Sequence, residues 1–313
     1  MKIFITGIAG AIGSNIAERF SARGDEVSGV DAYTDFYDPL MKRRTAHELE
    51  AKGIRVEEAD IASADLPALI PEGTDFIFHA AAQPGIAAWL SFDTYLRNNI
   101  IATHRLVKEL QSRARPPKLV FISTSSVYGI RANGSEETPP RPSSDYGVTK
   151  LAAEQDALAA YRDAGLPVTA LRLFSIYGER ERPDKLFRKL IEAIDTGTPF
   201  PLYDGARAHL RSYTYVGDVV DACERVCERF DACAGELFNI GSDVTSTTGE
   251  GIDLLEELMG KKGTYDIRPP RSGEQLETSA DIGKARRVLG YEPKTTLREG
   301  LARELSWCRA HAN

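Results

Sequence analysis

The stretch that decides the fold is Lys2-Ile3-Phe4-Ile5-Thr6-Gly7-Ile8-Ala9-Gly10-Ala11-Ile12-Gly13, close to the N-terminus. Its first five residues have the apolar pattern of a buried strand. The pattern of the segment Ala11–Ala22 is that of an amphipathic helix. A strand, a glycine-rich turn and a helix in this order are typical of the first unit of a doubly wound parallel sheet.

The three glycines of the turn have separate physical roles. Gly7 permits a tight turn, Gly10 lets a pyrophosphate approach the backbone, and Gly13 lets the helix pack closely on the sheet. The free N–H groups and the dipole at the helix start then favour the anion. We therefore expect a dinucleotide to contact Gly7, Gly10, Ala11, Ile12 and Gly13.

An acidic residue follows at the distance that this interpretation requires. Asp31 ends the second predicted strand, where a carboxylate can bind the adenosine ribose hydroxyls. Neither Ala32 nor Tyr33 is basic, so NAD is favoured over NADP. The alternative is a glycine turn without a ligand, which the combination of strand, turn, helix and acid makes less plausible. Further expected cofactor contacts are Asp60, Ile61, Ala80, Ala82 and Gln83.

Short apolar strands alternate with helices along the first half of the chain. Strands are predicted at 2–6, 26–30, 54–58, 76–79, 119–123 and 168–173, and helices at 11–22, 39–51, around 99–110 and 146–162. This alternation predicts an α/β fold, a parallel sheet covered on both faces. After Gly178 the segments shorten and Pro and Gly increase, with charged helices at 185–194 and 253–259. We therefore expect a Rossmann domain over 1–178, to which a later strand or helix can return, and a smaller substrate-binding region over 179–313.

Composition excludes several classes of protein. The 313 residues are 42% hydrophobic and 27% charged, as in a globular enzyme. The net charge of −7 argues against a nucleic-acid partner. Neither an export signal nor an apolar stretch long enough for a membrane span is evident. The four cysteines and five histidines match neither a disulfide framework nor a metal site, so we expect a cytoplasmic protein without a metal.

A second group of residues carries the chemistry of hydride transfer. Tyr146 and Lys150 are four residues apart at the start of a helix, so they share one face. A neighbouring ammonium is expected to lower the pKa of the phenol. The hydroxyl-rich segment Ser123-Thr124-Ser125-Ser126 follows a strand, at the sheet edge where ligands bind. A Tyr and a Lys at this spacing are, alone, more often surface residues than catalytic ones. Here the glycine turn and the hydroxyl-rich segment precede them in the chain, which favours a catalytic role.

These motifs together resemble the extended short-chain dehydrogenase/reductase family, in its nucleotide-sugar epimerase branch. The resemblance runs from the glycine turn through Ser123–Gly129, Tyr146–Lys150, Arg172–Gly178 and Tyr213–Val219 to Arg271–Asp281. It implies that Tyr146 is the general base, that Lys150 is its partner and that Thr124 binds the reacting hydroxyl. It further implies NAD contacts at Asn99 and Ser123, and contacts of Arg211 and Arg271 with a nucleotide diphosphate.

Two positions before Val127 distinguish the branches of this family. Sugar 4,6-dehydratases carry an Asp-Glu pair there, and UDP-xylose synthases carry a Glu directly before the Val. This chain has Ser125 and Ser126 instead, so it resembles neither branch. The loop Asp31–Pro39 and the segment Tyr177-Gly178 with Arg182-Pro183-Asp184 resemble glucuronate 4-epimerases. The resemblance implies that Arg182 binds the sugar carboxylate, and we expect Ser175, Ser125 and Ser126 at the same substrate site.

The sequence therefore predicts 4-epimerisation of a UDP-sugar, with UDP-glucuronate favoured and UDP-glucose as the alternative substrate. Alternatively, Arg182 only forms an ion pair with Glu179, Glu181 or Asp184 on a charged loop. A protein of another class, a non-catalytic NAD-binding regulator, is disfavoured by the intact Thr124, Tyr146 and Lys150. We also expect a homodimer through the helices at 85–110 and 145–163, as is common in the family.

Overall fold

Short parallel strands dominate the part of the chain that a computed structural model describes, which is residues 1–85, 89–270 and 275–311. The strands are β1 (Lys2–Thr6), β2 (Glu26–Asp31), β3 (Arg55–Glu58), β4 (Phe76–His79), β5 (Lys118–Thr124), β6 (Arg131–Ala132), β7 (Val168–Leu173), β8 (Ile176–Tyr177), β9 (Phe200–Tyr203), β10 (Leu210–Arg211), β11 (Thr214–Tyr215), β12 (Leu237–Ile240), β13 (Ser246–Thr247), β14 (Tyr265–Arg268) and β15 (Glu277–Thr278).

The helices of the described ranges connect and cover these strands. They are α1 (Ala11–Ala22), α2 (Pro39–Glu50), α3 (Leu66–Leu69), α4 (Phe92–Tyr95), α5 (Ala102–Ser112), α6 (Asp145–Ala164), α7 (Leu186–Thr196), α8 (Val216–Glu228), α9 (Thr248–Met259), α10 (Gly283–Leu289) and α11 (Leu297–Ala310). A π-helix at Leu96–Ile101 and short 3₁₀ turns at Ser125–Tyr128, Ala206–Ala208 and Phe230–Ala232 complete them.

The main sheet has seven strands in the order β3-β2-β1-β4-β5-β7-β12, all of them parallel. The order reverses between β1 and β4, which opens a crevice at the carboxyl ends of these neighbouring strands. The predicted doubly wound α/β fold is therefore confirmed.

Both faces of this sheet are covered, which explains the apolar strands. On one face Ile16 and Phe20 of α1 pack with Val219 of α8 in a common core. On the other face Leu106 of α5 and Leu158 of α6 belong to a second core. Full burial of each such side chain stabilises the fold by roughly 1.5–3 kcal/mol.

The C-terminal part of the chain has a core of its own, and it also contributes to the main sheet. Phe187 and Leu190 of α7 pack with Leu301 of α11 in this third core. Four two-residue strands form a small sheet in the order β13-β10-β15-β6. The strand β12 pairs with β7, so the main sheet draws on residues beyond Gly178. The domain boundary at this glycine stays a prediction.

Two predicted helices differ from the observed ones. The helix expected around 99–110 begins as the π-helix Leu96–Ile101 and continues as α5. The helix expected at 253–259 already begins at Thr248, because Thr247 and Glu250 form a capping box. Glycines at 249 and 251 conceal this start in the sequence. Among the described helices, none combines the length and the apolar character that crossing a bilayer requires.

Candidate active site

A cleft with a volume of about 570 Å³ lies over the carboxyl ends of β1, β2, β4 and β5. It has the size of a small-molecule site. Most of the predicted site residues line it, namely Gly7, Gly10, Ala11, Ile12, Gly13, Asp31, Asp60, Ile61, Ala80, Ala82, Ser123, Thr124, Ser125, Ser126, Tyr146, Lys150, Ser175, Arg182 and Arg211.

Two glycines of the turn, Gly7 and Gly13, leave no room for a side chain. Gly7 has a φ of +71°, and a Cβ there would lie 2.7 Å from the amide nitrogen of Ala81. A Cβ on Gly13 would lie 2.3 Å from the Gly7 carbonyl oxygen. Gly10 precedes α1 in extended conformation and has no side chain to cap the helix. The start of α1 thus faces the cleft as bare backbone, which fits a pyrophosphate.

The carboxylate of Asp31 is held at the edge of the cleft. Its oxygens accept hydrogen bonds from the backbone N–H groups of Ala9 at 3.2 Å and Tyr33 at 2.9 Å. Burial raises its pKa, against the lowering effect of Lys42 and these N–H groups. Lys42, whose ammonium lies 3.9 Å from the carboxylate, was missed by sequence reasoning because it is eleven residues away on α2.

Not every expected cofactor residue reaches the cleft. The amide of Asn99 accepts from the Gln83 backbone N–H at 2.7 Å and donates to the Thr149 hydroxyl at 3.0 Å. Asn99 and Gln83 are both buried and do not belong to the cleft wall. In this structure they brace the loop after β4 against α6 instead of facing a ligand. The predicted contact at Arg271 lies outside the described residues.

The side chains of Tyr146 and Thr124 are neighbours in the wall of the cleft. Thr124 ends β5 and Tyr146 lies in the first turn of α6, where Ser144 caps the helix by accepting from the Gly147 N–H at 3.2 Å. Burial raises the pKa of Tyr146, while the Thr124 side chain and the charge of Arg182 lower it. The net pKa lies above the ordinary value of a phenol.

The ammonium group of Lys150 is engaged inside the protein. It donates to the carbonyl oxygen of Ile122 at 2.7 Å and lies 4.2 Å from the centre of the Phe121 ring. Burial lowers its pKa to about 7, against the opposing effect of Glu154. That Lys150 lowers the pKa of Tyr146 stays a prediction. Arg182 is a cation that lowers the pKa of this phenol.

A buried ion pair supports the helix that carries these residues. Arg172 on β7 donates to both oxygens of Glu154 on α6, at 2.9 and 2.6 Å. The hydroxyl of Ser123 donates to the same carboxylate at 2.6 Å. Ser123 lines the cleft, but its hydroxyl is engaged inside the protein.

In the same cleft, Arg182 is held in place by other side chains. Its guanidinium donates to both oxygens of Asp184, at 2.9 and 2.8 Å, and lies 5.3 Å from the centre of the Phe36 ring. The pairing with Asp184 is one of those considered from sequence. Nearby, the Ser175 and Thr278 hydroxyls are 3.1 Å apart.

Several cleft residues were not found by sequence reasoning. They are Lys42, Lys185, Lys189, Tyr203, His209 and Gln275. Lys185 directly follows the Arg182-Pro183-Asp184 segment, and its position there is the signal that could have found it. Burial lowers the pKa of this lysine, while Glu181 raises it. The others lie on separate elements with no spacing that relates them.

The fold and the cleft define a class of nucleotide-dependent enzyme. The chain matches the model of the NAD dependent epimerase/dehydratase family over residues 3–241. It belongs to this family, within the extended short-chain dehydrogenases/reductases, as the motifs predicted.

Relatives narrow this class further. An uncharacterised UDP-glucose epimerase, YtcB of Bacillus subtilis, is 35% identical over 98% of both chains. UDP-glucuronate 4-epimerase 3 of Arabidopsis thaliana is 31% identical over all of this chain and 77% of its own length. The crystal structure of the UDP-glucuronic acid 4-epimerase of Bacillus cereus, in complex with UDP-glucuronic acid and NAD, superposes with a TM-score of 0.94. That protein is 32% identical, over 99% of this chain and 100% of its own.

Proposed function

We propose that this protein is an NAD-dependent 4-epimerase of UDP-sugars, and that it converts UDP-glucuronate to UDP-galacturonate. One observation carries the proposal. The neighbouring Tyr146 and Thr124 side chains share a cleft with the glycine turn and with Arg182. Base, dinucleotide site and carboxylate partner are thereby combined in one cavity, and the named relatives support this assignment.

The chain's own residues handle the proton. Tyr146 takes the proton of the sugar C4 hydroxyl and later returns it, while Thr124 hydrogen bonds to the reacting oxygen. Proton transfer by a positioned side chain contributes about 10²–10⁴-fold to a rate. The Arg182 charge lowers the pKa of Tyr146 against burial, and so favours the phenolate that the first step needs.

The residues around the glycine turn fit NAD. The turn and the start of α1 would hold the pyrophosphate, Asp31 the adenosine ribose, and Lys150 the nicotinamide ribose. NAD when bound supplies a hydride acceptor and donor for sugar C4, so the reaction has no net redox change. The small residues Ala80 and Ala82 leave room for the cofactor along the sheet edge.

Arg182 decides the fate of the sugar carboxylate. Oxidation of C4 in glucuronate makes a β-keto acid, which loses carbon dioxide if the carboxylate turns perpendicular to the carbonyl. A guanidinium fork fixes the plane of a carboxylate through two parallel hydrogen bonds. Arg182, with Ser175, Ser125 and Ser126, would therefore retain the carboxylate while the 4-keto sugar turns over. Arg211 and Arg271 would contact the nucleotide diphosphate.

UDP-glucose is the second candidate substrate, because the Bacillus subtilis relative is named as a UDP-glucose epimerase. The pairing of Arg182 with Asp184 is compatible with it, since Arg182 is then already neutralised. The test is incubation with each UDP-sugar separately, without added NAD, followed by product identification. We expect UDP-galacturonate from UDP-glucuronate. Faster formation of UDP-galactose from UDP-glucose would assign the neutral sugar, and UDP-xylose would contradict the role of Arg182.

We further propose a cytoplasmic homodimer in which 1–178 binds mainly NAD and 179–313 mainly the UDP-sugar. The thiols of all four cysteines are free, in keeping with a reducing compartment. The dimer would form through the helices at 85–110 and 145–163. Exposed apolar side chains there support it, among them Ile101 on the π-helix and Val148 on α6. A monomeric mass in solution would refute the dimer.

A further inference from the structure

Arg180 is turned away from the cleft although its neighbours face it. Glu181 and Arg182 line the cleft, whereas the side chain of Arg180 lies in a separate crevice formed by α1, α2, α8 and α11. Glu179 lines both. Its φ is +61°, a left-handed conformation that is uncommon for a residue with a side chain. Such a conformation persists only where the surrounding contacts enforce it.

Two glutamates on two helices supply those contacts. The Arg180 guanidinium donates to both oxygens of Glu18 on α1, at 3.0 and 2.8 Å, and to Glu48 on α2 at 2.8 Å. Only 8% of the Arg180 side chain is exposed. Burial raises the pKa of Glu18, but hydrogen bonds from Arg180 and Lys52 outweigh it and the net pKa is lowered. The carboxylate is thus ionised and the pair is charge-assisted.

The residue before Arg180 is held as well. The Asn15 side chain on α1 donates to the Glu179 carbonyl at 3.3 Å, and the Tyr215 hydroxyl donates to the Glu179 carboxylate at 2.8 Å. The backbone that leads into Arg182 is therefore attached to α1, the helix that begins at the glycine turn. Asp184 holds the Arg182 guanidinium itself.

We propose that Arg180, Glu18 and Glu48 form a clamp that positions Arg182 for the sugar carboxylate, and so determine both uronate specificity and retention of the carboxyl group. This inference rests on the proposed function. The three residues are positioning residues, since they act through the backbone at 179–182 and face away from the cleft. A shift of Arg182 by about 1 Å is enough to weaken a bidentate contact, and misplacements of that size cost on the order of 10²-fold in rate.

The test compares Arg180→Asn, Arg180→Lys and Glu18→Gln with the wild-type holoenzyme. Asn tolerates the left-handed backbone conformation of residue 180 but lacks the guanidinium that binds the two glutamates. Lys keeps the positive charge without the planar guanidinium geometry. For Arg180→Asn we expect kcat/KM for UDP-glucuronate to fall about 10²-fold. We also expect a larger share of UDP-pentose in the product and a kcat/KM for UDP-glucose within about twofold of wild type. Arg180→Lys and Glu18→Gln should show smaller changes in the same direction.

Glu257→Gln is the matched control, because Glu257 pairs with Arg298 at 2.8 Å on an exposed surface. Thermal unfolding of each variant verifies that the fold is intact. Equal loss with both sugars, or no change with UDP-glucuronate, overturns the clamp while leaving the proposed function in place. A wild-type enzyme that epimerises UDP-glucose alone overturns the uronate assignment and the clamp together, and one that epimerises neither sugar overturns the proposed function itself.

Discussion

At the residue scale, the ionisation of Tyr146 reflects a balance between burial and one cation. Burial raises its pKa, and the Thr124 side chain and the charge of Arg182 oppose that increase without cancelling it. Lys150 is engaged with the Ile122 carbonyl. The same guanidinium that is proposed to hold the sugar carboxylate thus also favours the phenolate.

Replacement of Tyr146 by Phe is expected to lower kcat by about 10²–10⁴-fold, because the proton acceptor is lost. Affinity for the UDP-sugar should change little, since the ring is retained. Steady-state kinetics and calorimetric binding measure the two effects separately. Tyr161→Phe on the exposed face of α6 is the control. Normal turnover in the Tyr146→Phe variant would contradict the role of Tyr146 as the base, whereas a wild-type protein that binds NAD without any turnover would support the non-catalytic regulator.

His79 is a buried residue whose environment sets a pH dependence of stability. Thr103 donates its hydroxyl proton to the Asn99 carbonyl at 2.6 Å and so accepts from His79 Nε2 at 2.9 Å. The hydroxyl of Thr6 then donates to Nδ1 at 2.7 Å. Burial lowers the pKa of His79 to about 3, and the charge of Lys150 adds to the effect. The ring is therefore neutral in the folded chain.

Stability should fall as the pH decreases below about 6.5, the ordinary pKa of histidine in an unfolded chain. Between that value and the folded pKa the unfolded chain binds a proton that the folded chain does not. The contribution is at most about 1.4 kcal/mol per pH unit. Urea unfolding of wild type and His79→Gln between pH 7 and 5 measures it. Equal slopes for the two proteins would show that His79 is not the titrating group.

At the scale of elements, the packing of α1 on β1 depends on the glycine turn. Gly13→Ala places a Cβ 2.3 Å from the Gly7 carbonyl oxygen, where the backbone must move. We expect a loss of about 1–3 kcal/mol in the free energy of unfolding. The NAD content of the purified protein should fall with it. Gly283→Ala is the control, because its Cβ would meet only side-chain atoms, and it should change stability by less than about 1 kcal/mol. Unchanged NAD content in Gly13→Ala would contradict the role of the turn.

The buried ion pair between α6 and β7 is a second element-scale contact. Arg172→Met leaves the Glu154 carboxylate buried without its partner, and a loss of about 3–5 kcal/mol in unfolding free energy is expected. Arg298→Met removes an exposed pair and should cost less than about 1 kcal/mol. Chemical denaturation compares the two. Similar small losses would mean that the Arg172–Glu154 pair contributes little.

Sequence patterns predicted those strands and helices whose formation depends on residues close together in the chain. The strands Lys2–Thr6, Phe76–His79 and Val168–Leu173 are observed with the predicted ends, because each is a short apolar run in a covered sheet. The π-helix Leu96–Ile101 could not be found in this way, since its apolar period resembles that of an α-helix. Two-residue strands such as β10 and β15 are defined by their partners and have no pattern of their own.

At the scale of the whole molecule, the sequence did not predict the contacts between residues that are far apart in the chain. The glycine turn, Tyr146 and Lys150 were found because each has a fixed local spacing. The pairing of Arg180 with Glu18 spans 162 residues, and Lys42 reaches Asp31 only through the fold. Such pairs depend on which helices become neighbours, and that is decided by the sheet order.

The central claim is that one sugar carbon loses and regains its hydrogen within a single cleft while the carboxyl group is kept. The most direct measurement uses UDP-glucuronate with deuterium at C4, incubated with the purified protein and no added NAD. We predict UDP-galacturonate that retains the deuterium at C4. Release of the label to water, or a UDP-pentose as the main product, would contradict the account.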